Sequence, residues 1–157
     1  MMEDAFDILI SMNAPSSSSG PLQHYVDAQE MTYDAALAEI RNGYKESHWM
    51  WFVFPQALGL AQSEMSQRFA IRNRKEAQAY LDHPILGPRL IRCCEALMAS
   101  KENSATALLG YPDDLKLRSS MTLFANIAED PYLFYQVLEK FFNGNQDSRT
   151  IKIMDGW

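Results

Sequence analysis

The chain has 157 residues, of which 47% are hydrophobic and 22% are charged. This size and composition predict one folded domain and exclude a disordered chain. Twenty acidic residues against fourteen basic ones give a net charge of −6, which argues against non-specific binding to nucleic acid. No apolar run reaches the 18 residues that a membrane-spanning helix needs, the longest being Trp49 to Pro55.

Both ends of the chain are expected to lie outside the folded domain. We predict an N-terminal extension and Ser-rich linker in residues 1–21, which we expect to be flexible, a helical domain in residues 22–145 and a partly ordered tail in residues 146–157. The acidic start, Met1-Met2-Glu3-Asp4, is unlike the basic start of a secretory signal or transit peptide. The extension also carries a short apolar patch that either docks on the domain or a partner, or frays: Phe6, Ile8, Leu9, Ile10 and Met12.

The first half of the domain shows helical spacing of apolar residues. A helix is predicted to begin near Thr32 and to end at Gly43. Ser63 is a typical N-cap for the next amphipathic stretch, and Asn73 with Glu76 resembles a capping box. These signals predict three helices before residue 83.

The second half continues the pattern. Pro84 suits the first turn of a helix, and so does Pro112, which two acidic residues follow. Asp130-Pro131 predicts a last helix that ends at Gly144. No convincing strand pattern or repeat is visible, so we predict an all-α, compact single-domain bundle of about six to seven short helices.

The two cysteines, Cys93 and Cys94, are adjacent in the sequence. Neighbouring side chains on a helix diverge by about 100°, so the two are poorly placed to form a disulfide or to share a metal. We expect one of them to face the core. Free thiols are typical of a reducing compartment, which favours the cytoplasm or the nucleus. We predict neither a metal nor another cofactor.

A first candidate site lies in Ser47-His48-Trp49-Met50-Trp51-Phe52-Val53-Phe54-Pro55-Gln56. Every position from Trp49 to Pro55 is apolar, so this run is enclosed on several sides or forms part of a cavity wall. A central core segment is one interpretation. The polar residues at its ends (Ser47, His48 and Gln56) favour the other, because polar groups beside aromatic walls are typical of small-molecule pockets.

The second candidate site is the helix that begins near Asp114. Lys116, Ser119 and Ser120 share one helix face. Two successive serines inside a helix need a reason, which is either close helix packing or hydrogen bonding to a ligand. A third feature is the basic cluster, which is either a solvated helix face or a contact for an anionic ligand or partner: Arg68, Arg72, Arg74 and Lys75.

These segments resemble the widespread domain family of unknown function that carries the number 1810. The resemblance rests on the segment 47–56, on 80–90, which reads YLDHPILGPRL, and on 114–124, which reads DLKLRSSMTLF. It covers about Gln23 to Asn143 and implies a compact, mainly helical fold without an established activity. Some members are labelled calpastatin, the calpain inhibitor. Inhibitors of that type resemble disordered repeats, whereas this aromatic-rich chain is predicted to be globular.

Our leading hypothesis is a site for a small nucleotide-like or phosphorylated ligand where the two candidate segments meet. Trp49 or Trp51 would stack on a flat ring, Lys116 and Arg118 would attract phosphate, and His48 or Asp114 would serve as general acid or base if the ligand is hydrolysed. A non-catalytic protein-interaction module is the alternative, with calpain inhibition third. The predicted ligand-binding residues are Ser47, Trp49, Trp51, Gln56, Lys116, Arg118, Ser119 and Ser120, and the catalytic candidates are His48 and Asp114.

Overall fold

The computed structural model describes residues 20–157, which fold into helices joined by short loops. The N-terminal apolar patch and almost all of the Ser-rich linker lie outside the described residues. Within residues 20–157 there are nine helices and no strand, which confirms the all-α prediction but exceeds the predicted number of helices. The helices are α1 Gln23–Asn42, α2 Met50–Val53, α3 Glu64–Arg68, α4 Arg74–Asp82, α5 Leu86–Ala99, α6 Ala105–Leu109, α7 Asp113–Ala125, α8 Tyr132–Phe142 and α9 Ser148–Asp155.

Local capping signals predict several helix ends correctly. The Ser63 hydroxyl accepts the backbone N–H of Ser66 at 3.2 Å and begins α3. Asn73 accepts the N–H of Glu76 at 2.8 Å, while the Glu76 carboxylate accepts the N–H of Arg72. This pair resembles a capping box in which the returning bond falls one residue early. Gly43 ends α1 in the left-handed conformation, with φ at 80°.

Two helix starts differ from the predictions. Helix α1 begins at Gln23 rather than near Thr32, and its buried face before Thr32 includes a polar residue, Gln29, which is only 2% exposed. Its amide donates to the carbonyl of Phe52 (2.7 Å) and to the hydroxyl of Tyr80 (3.0 Å), which satisfies it inside the core. Helix α5 begins at Leu86, two residues after Pro84.

The C-terminal tail forms helix α9, whereas we expected partial order. Asp147 caps this helix by accepting the N–H of Thr150 at 3.0 Å. Thr150 and Met154 are buried, and α9 packs against α7. The helix is therefore stabilised by contacts with the rest of the domain, which a short tail with few apolar residues does not reveal.

The core lies where α1, α5, α7 and α8 pack together, and α2 closes it between α1 and α7. Cys93 and Cys94 are both fully buried in this core, so the expectation that only one faces inward is wrong. Burial raises the pKa of the Cys93 thiol to about 12 and also raises that of Cys94, which keeps both thiols protonated. Among residues 20–157 no helix is long and apolar enough to cross a membrane, and no group of three potential ligand side chains is arranged to hold a metal.

Candidate ligand site beside helix α7

The aromatic segment 47–56 divides into a buried part and a surface part. Six of the seven residues in the apolar run are buried, which confirms the core interpretation for them: Trp49, Met50, Phe52, Val53, Phe54 and Pro55. Trp51, Ser47 and Gln56 are half-buried, and His48 is exposed. Trp49 is 0% exposed, so it has no face for a ligand ring. Of the two predicted stacking residues, only Trp51 reaches the surface.

Glu39 of α1 holds the start of this segment in place. Its carboxylate accepts hydrogen bonds from the indole N–H of Trp49 (2.9 Å), from the backbone N–H groups of Glu46 (2.8 Å) and Ser47 (3.0 Å), and from the Ser47 hydroxyl. Partial burial alone would raise the pKa of Glu39, but these hydrogen bonds outweigh it and keep the pKa below its ordinary value. The predicted ligand-binding residue Ser47 is thus engaged in positioning the segment.

Replacing Glu39 by glutamine is expected to lower the free energy of unfolding by about 1–2 kcal/mol at neutral pH, because an amide turns a donor toward the N–H groups it faces. Since folding lowers the pKa of Glu39, its contribution is present above the ordinary value of 4.5 and is lost as the pH falls through the lower folded value. Urea unfolding should therefore separate Glu39→Gln from the wild type at pH 7 and much less at pH 3. The exposed Glu46→Gln is the control, and an equal loss there would contradict this role.

Two lysines and a carboxylate join the segment to α7. Asp113, at the start of α7, pairs with Lys45 at 2.8 Å and with Lys116 at 3.1 Å. The ammonium of Lys116 lies 4.6 Å from the ring centroid of Trp51, and that of Lys45 lies 5.1 Å from the ring of Trp49. The structure therefore brings Trp51 and Lys116 together at one place on the surface.

The other predicted residues on α7 have different surroundings. Asp114 is buried and accepts a hydrogen bond from the Thr106 hydroxyl at 2.6 Å, so it links α7 to α6. Arg118 and Ser119 both contact Asp147, at 3.7 Å and 3.2 Å, on the side of α7 that α9 covers. The proposed phosphate-binding group is thus divided, because Arg118 and Ser119 belong to the contact with α9.

Ser120 supports the packing interpretation of the two serines. Its side chain is 0% exposed, and its hydroxyl has no hydrogen-bond partner among the described residues. A small side chain in the core allows close approach of neighbouring helices. The Ser120 hydroxyl therefore lies in the core rather than at the ligand surface.

Sequence reasoning missed three residues of this arrangement: Glu39, Lys45 and Asp113. Lys45 stands only two positions before Ser47, and Asp113 was interpreted as part of a helix start. Their side chains become partners only through the fold, because Lys45 and Asp113 are 68 positions apart. Lys45 and Asp113 are charged and lie close to the two candidate segments in the sequence, which was the one available signal of their role.

A comparison with protein-family models identifies the family of the chain. A model of the family described as "Protein of unknown function (DUF1810)" matches residues 19–154. The chain belongs to this family. The match confirms the resemblance inferred from the three sequence blocks and extends it through most of α9.

A protein of known structure has a similar fold. The chain is similar to the conserved hypothetical protein Rv1873 from Mycobacterium tuberculosis, with 43% sequence identity and a TM-score of 0.84. The similarity covers 85% of this chain and 96% of the mycobacterial chain. A search of curated proteins found no significant match. Neither the DUF1810 description nor that of the mycobacterial protein names a ligand or a reaction.

Proposed function

We propose that the protein binds a small ligand that combines a flat ring with a negatively charged group. The ligand site is the surface formed by Trp51, Lys116, Lys45 and Asp113. The observation that carries this proposal is the position of the Lys116 ammonium, 4.6 Å from the Trp51 ring centroid. An aromatic face and a cation at one spot match the two halves of a nucleotide-like compound.

The charges of this surface favour an anion. Two ammonium groups share the single carboxylate of Asp113, which leaves an excess of one positive charge. The side chains of Lys116 and Asp113 are 20% and 19% exposed, and that of Lys45 is 8% exposed. Partial burial reduces screening by solvent, so the excess charge attracts an anion more strongly than an exposed lysine does.

The proposal concerns binding, with His48 as the remaining candidate for acid–base chemistry. His48 is exposed and adjoins the segment that carries Trp51. Asp114 is not a second acid–base candidate, because its carboxylate accepts the hydroxyl of Thr106 and links α7 to α6. A single candidate side chain supports a binding function better than a hydrolytic one.

Titration with AMP and ADP-ribose tests the proposal, with indole fluorescence and thermal unfolding as the two measurements. AMP is expected to raise the unfolding temperature of the wild type. Lys116→Met is expected to weaken AMP binding about tenfold, equivalent to about 1.4 kcal/mol, because the phosphate loses its ammonium partner. Trp51→Leu is expected to weaken binding to a similar degree by removing the stacking face.

Lys152→Met is the matched control, since Lys152 is exposed on α9 and its replacement removes the same charge. Equal weakening by Lys152→Met would show that only the net charge of the protein matters. The proposal would be contradicted if neither compound bound the wild type, or if binding survived both Lys116→Met and Trp51→Leu.

A further inference from the structure

A second surface with cationic character lies at the other end of the aromatic segment, around α3. A cleft of about 550 Å³ opens between the start of α1 and α3. Arg68, Arg72 and His24 line it, together with the side chains of Glu64 and Gln67. Its volume falls in the range of small-molecule sites. Of the basic cluster in the sequence, Arg68 and Arg72 line this cleft, whereas Arg74 and Lys75, at the start of α4, are not among its lining residues.

Within the described residues, the guanidinium groups of the two cleft arginines form no ion pair, although the backbone N–H of Arg72 donates to the Glu76 carboxylate. Four other basic side chains of residues 20–157 do form ion pairs. Arg68 is half-buried, and its Nε–H has no hydrogen-bond partner among the described residues. A buried donor without a partner costs free energy. The two arginines of the cleft lining offer the forked guanidinium donors that match phosphate oxygens.

His24 forms the apolar side of the same cleft. Its ring stacks on Phe69, with 5.4 Å between the ring centroids. Burial, followed by the charges of Arg68 and Arg72, lowers the pKa of His24 to about 4, while a hydrogen bond with the Arg68 backbone and the charge of Asp27 act in the opposite direction. The imidazole is therefore neutral at physiological pH and adds no charge to the cleft. The cleft then carries two positive charges from the arginines and one negative charge from Glu64.

We propose that this cleft binds the phosphate monoester of a small polyhydroxylated molecule such as a sugar phosphate. Arg68 and Arg72 hold the phosphate, and Glu64 and Gln67 face the hydroxyl groups. The lining favours hydroxyl groups over a flat base, because it includes the carboxylate residue Glu64 and the amide residue Gln67. The site shares no residue with the Trp51–Lys116 surface, so each proposal stands or fails by itself.

Calorimetric titration of the full chain with glucose 6-phosphate, inorganic phosphate and glucose tests the inference. Glucose 6-phosphate is expected to bind several-fold more tightly than inorganic phosphate, and glucose alone is expected to bind far more weakly than either. Arg68→Gln and Arg72→Gln are each expected to weaken glucose 6-phosphate binding about tenfold. Arg74→Gln is the matched control, because it removes the same charge two residues from Arg72 and is expected to change affinity less than about twofold.

The pKa values of the histidines provide a measurement that is independent of ligand affinity. A bound phosphate offsets the charges of Arg68 and Arg72, so it should move the pKa of His24 back toward its ordinary value in a proton NMR titration. His48 and His83 lie outside the cleft lining and should not respond.

Equal affinity for inorganic phosphate and glucose 6-phosphate would overturn the inference of an ester site. Equal loss in Arg74→Gln, or a His24 pKa that is the same with and without bound glucose 6-phosphate, would overturn the assignment to this cleft.

Discussion

Replacement of Gly87 by alanine is expected to destabilise the protein by about 2–3 kcal/mol, a lowering of the unfolding temperature by roughly 5–10 °C. A Cβ at position 87 would lie 2.1 Å from the carbonyl oxygen of Leu81 and 3.1 Å from its carbonyl carbon. Both are backbone atoms, so no side-chain rotation relieves the clash. The start of α5 would have to move away from the end of α4, which opens the buried contact between these helices.

The expected destabilisation by Gly87→Ala is opposite in sign to the effect of helix propensity, which makes the measurement decisive. Alanine is intrinsically better than glycine in a helix by up to about 1 kcal/mol, so a substitution without a clash inside α5 would stabilise the protein. Thermal and urea unfolding of Gly87→Ala should nevertheless show a clear loss. Gly156→Ala is the control, because its Cβ would meet its nearest atom at an ordinary 3.5 Å. A Gly87→Ala protein as stable as Gly156→Ala would refute the close approach.

The helix starts illustrate which parts of the fold a sequence can predict. Helix starts at Ser63 and Asn73 were predicted because the cap and its partner lie three residues apart. The start of α1 was missed because Gln29 interrupts the apolar face, and its partners Phe52 and Tyr80 are 23 and 51 positions away. Local hydrogen bonds leave a signature in the sequence, whereas partners brought together by folding do not.

The same distinction separates the correct and the missing parts of the candidate site. The aromatic run and the helix that carries Lys116 were recognised from residue type and spacing, and Trp51 and Lys116 do lie together. Trp49 has the same residue type as Trp51, yet its indole is buried against Glu39 of α1. Adjacent aromatic residues look alike in a sequence, and only packing decides which of them a ligand can reach.

Arg118 and Ser119 are separated from the ligand surface because they take part in the contact with α9. This helix has only eight residues, so its three apolar residues form too short a pattern to predict it, although Asp147 is a local capping signal. Its cap, Asp147, takes the side chains of Arg118 and Ser119 as partners. A tail that had been left out of the domain thus changes the role of two residues on α7.

Replacement of Asp147 by alanine is expected to lower the free energy of unfolding by about 2–3 kcal/mol. One carboxylate oxygen of Asp147 accepts the N–H of Thr150 (3.0 Å), the hydroxyl of Thr150 (2.6 Å) and the hydroxyl of Ser119 (3.2 Å). Alanine removes the cap of α9 and leaves the buried N–H and hydroxyl of Thr150 without this acceptor, whereas the Ser119 hydroxyl still has the carbonyl of Leu115 at 3.2 Å. The loss exceeds that of an ordinary exposed cap because Asp147 is only 9% exposed and Thr150 is fully buried.

Urea unfolding measures this loss, and two further variants define its origin. Asp155→Ala removes an exposed carboxylate at the C-terminal end of α9, where a negative charge opposes the helix dipole, so it should be neutral or slightly stabilising. Asp147→Asn retains a capping oxygen but loses the charge that faces Arg118 at 3.7 Å, so its stability should lie between those of the wild type and Asp147→Ala. If Asp147→Ala unfolded at the same urea concentration as Asp155→Ala, α9 would contribute little to the domain. The assignment of Arg118 and Ser119 to that contact would then fail with it.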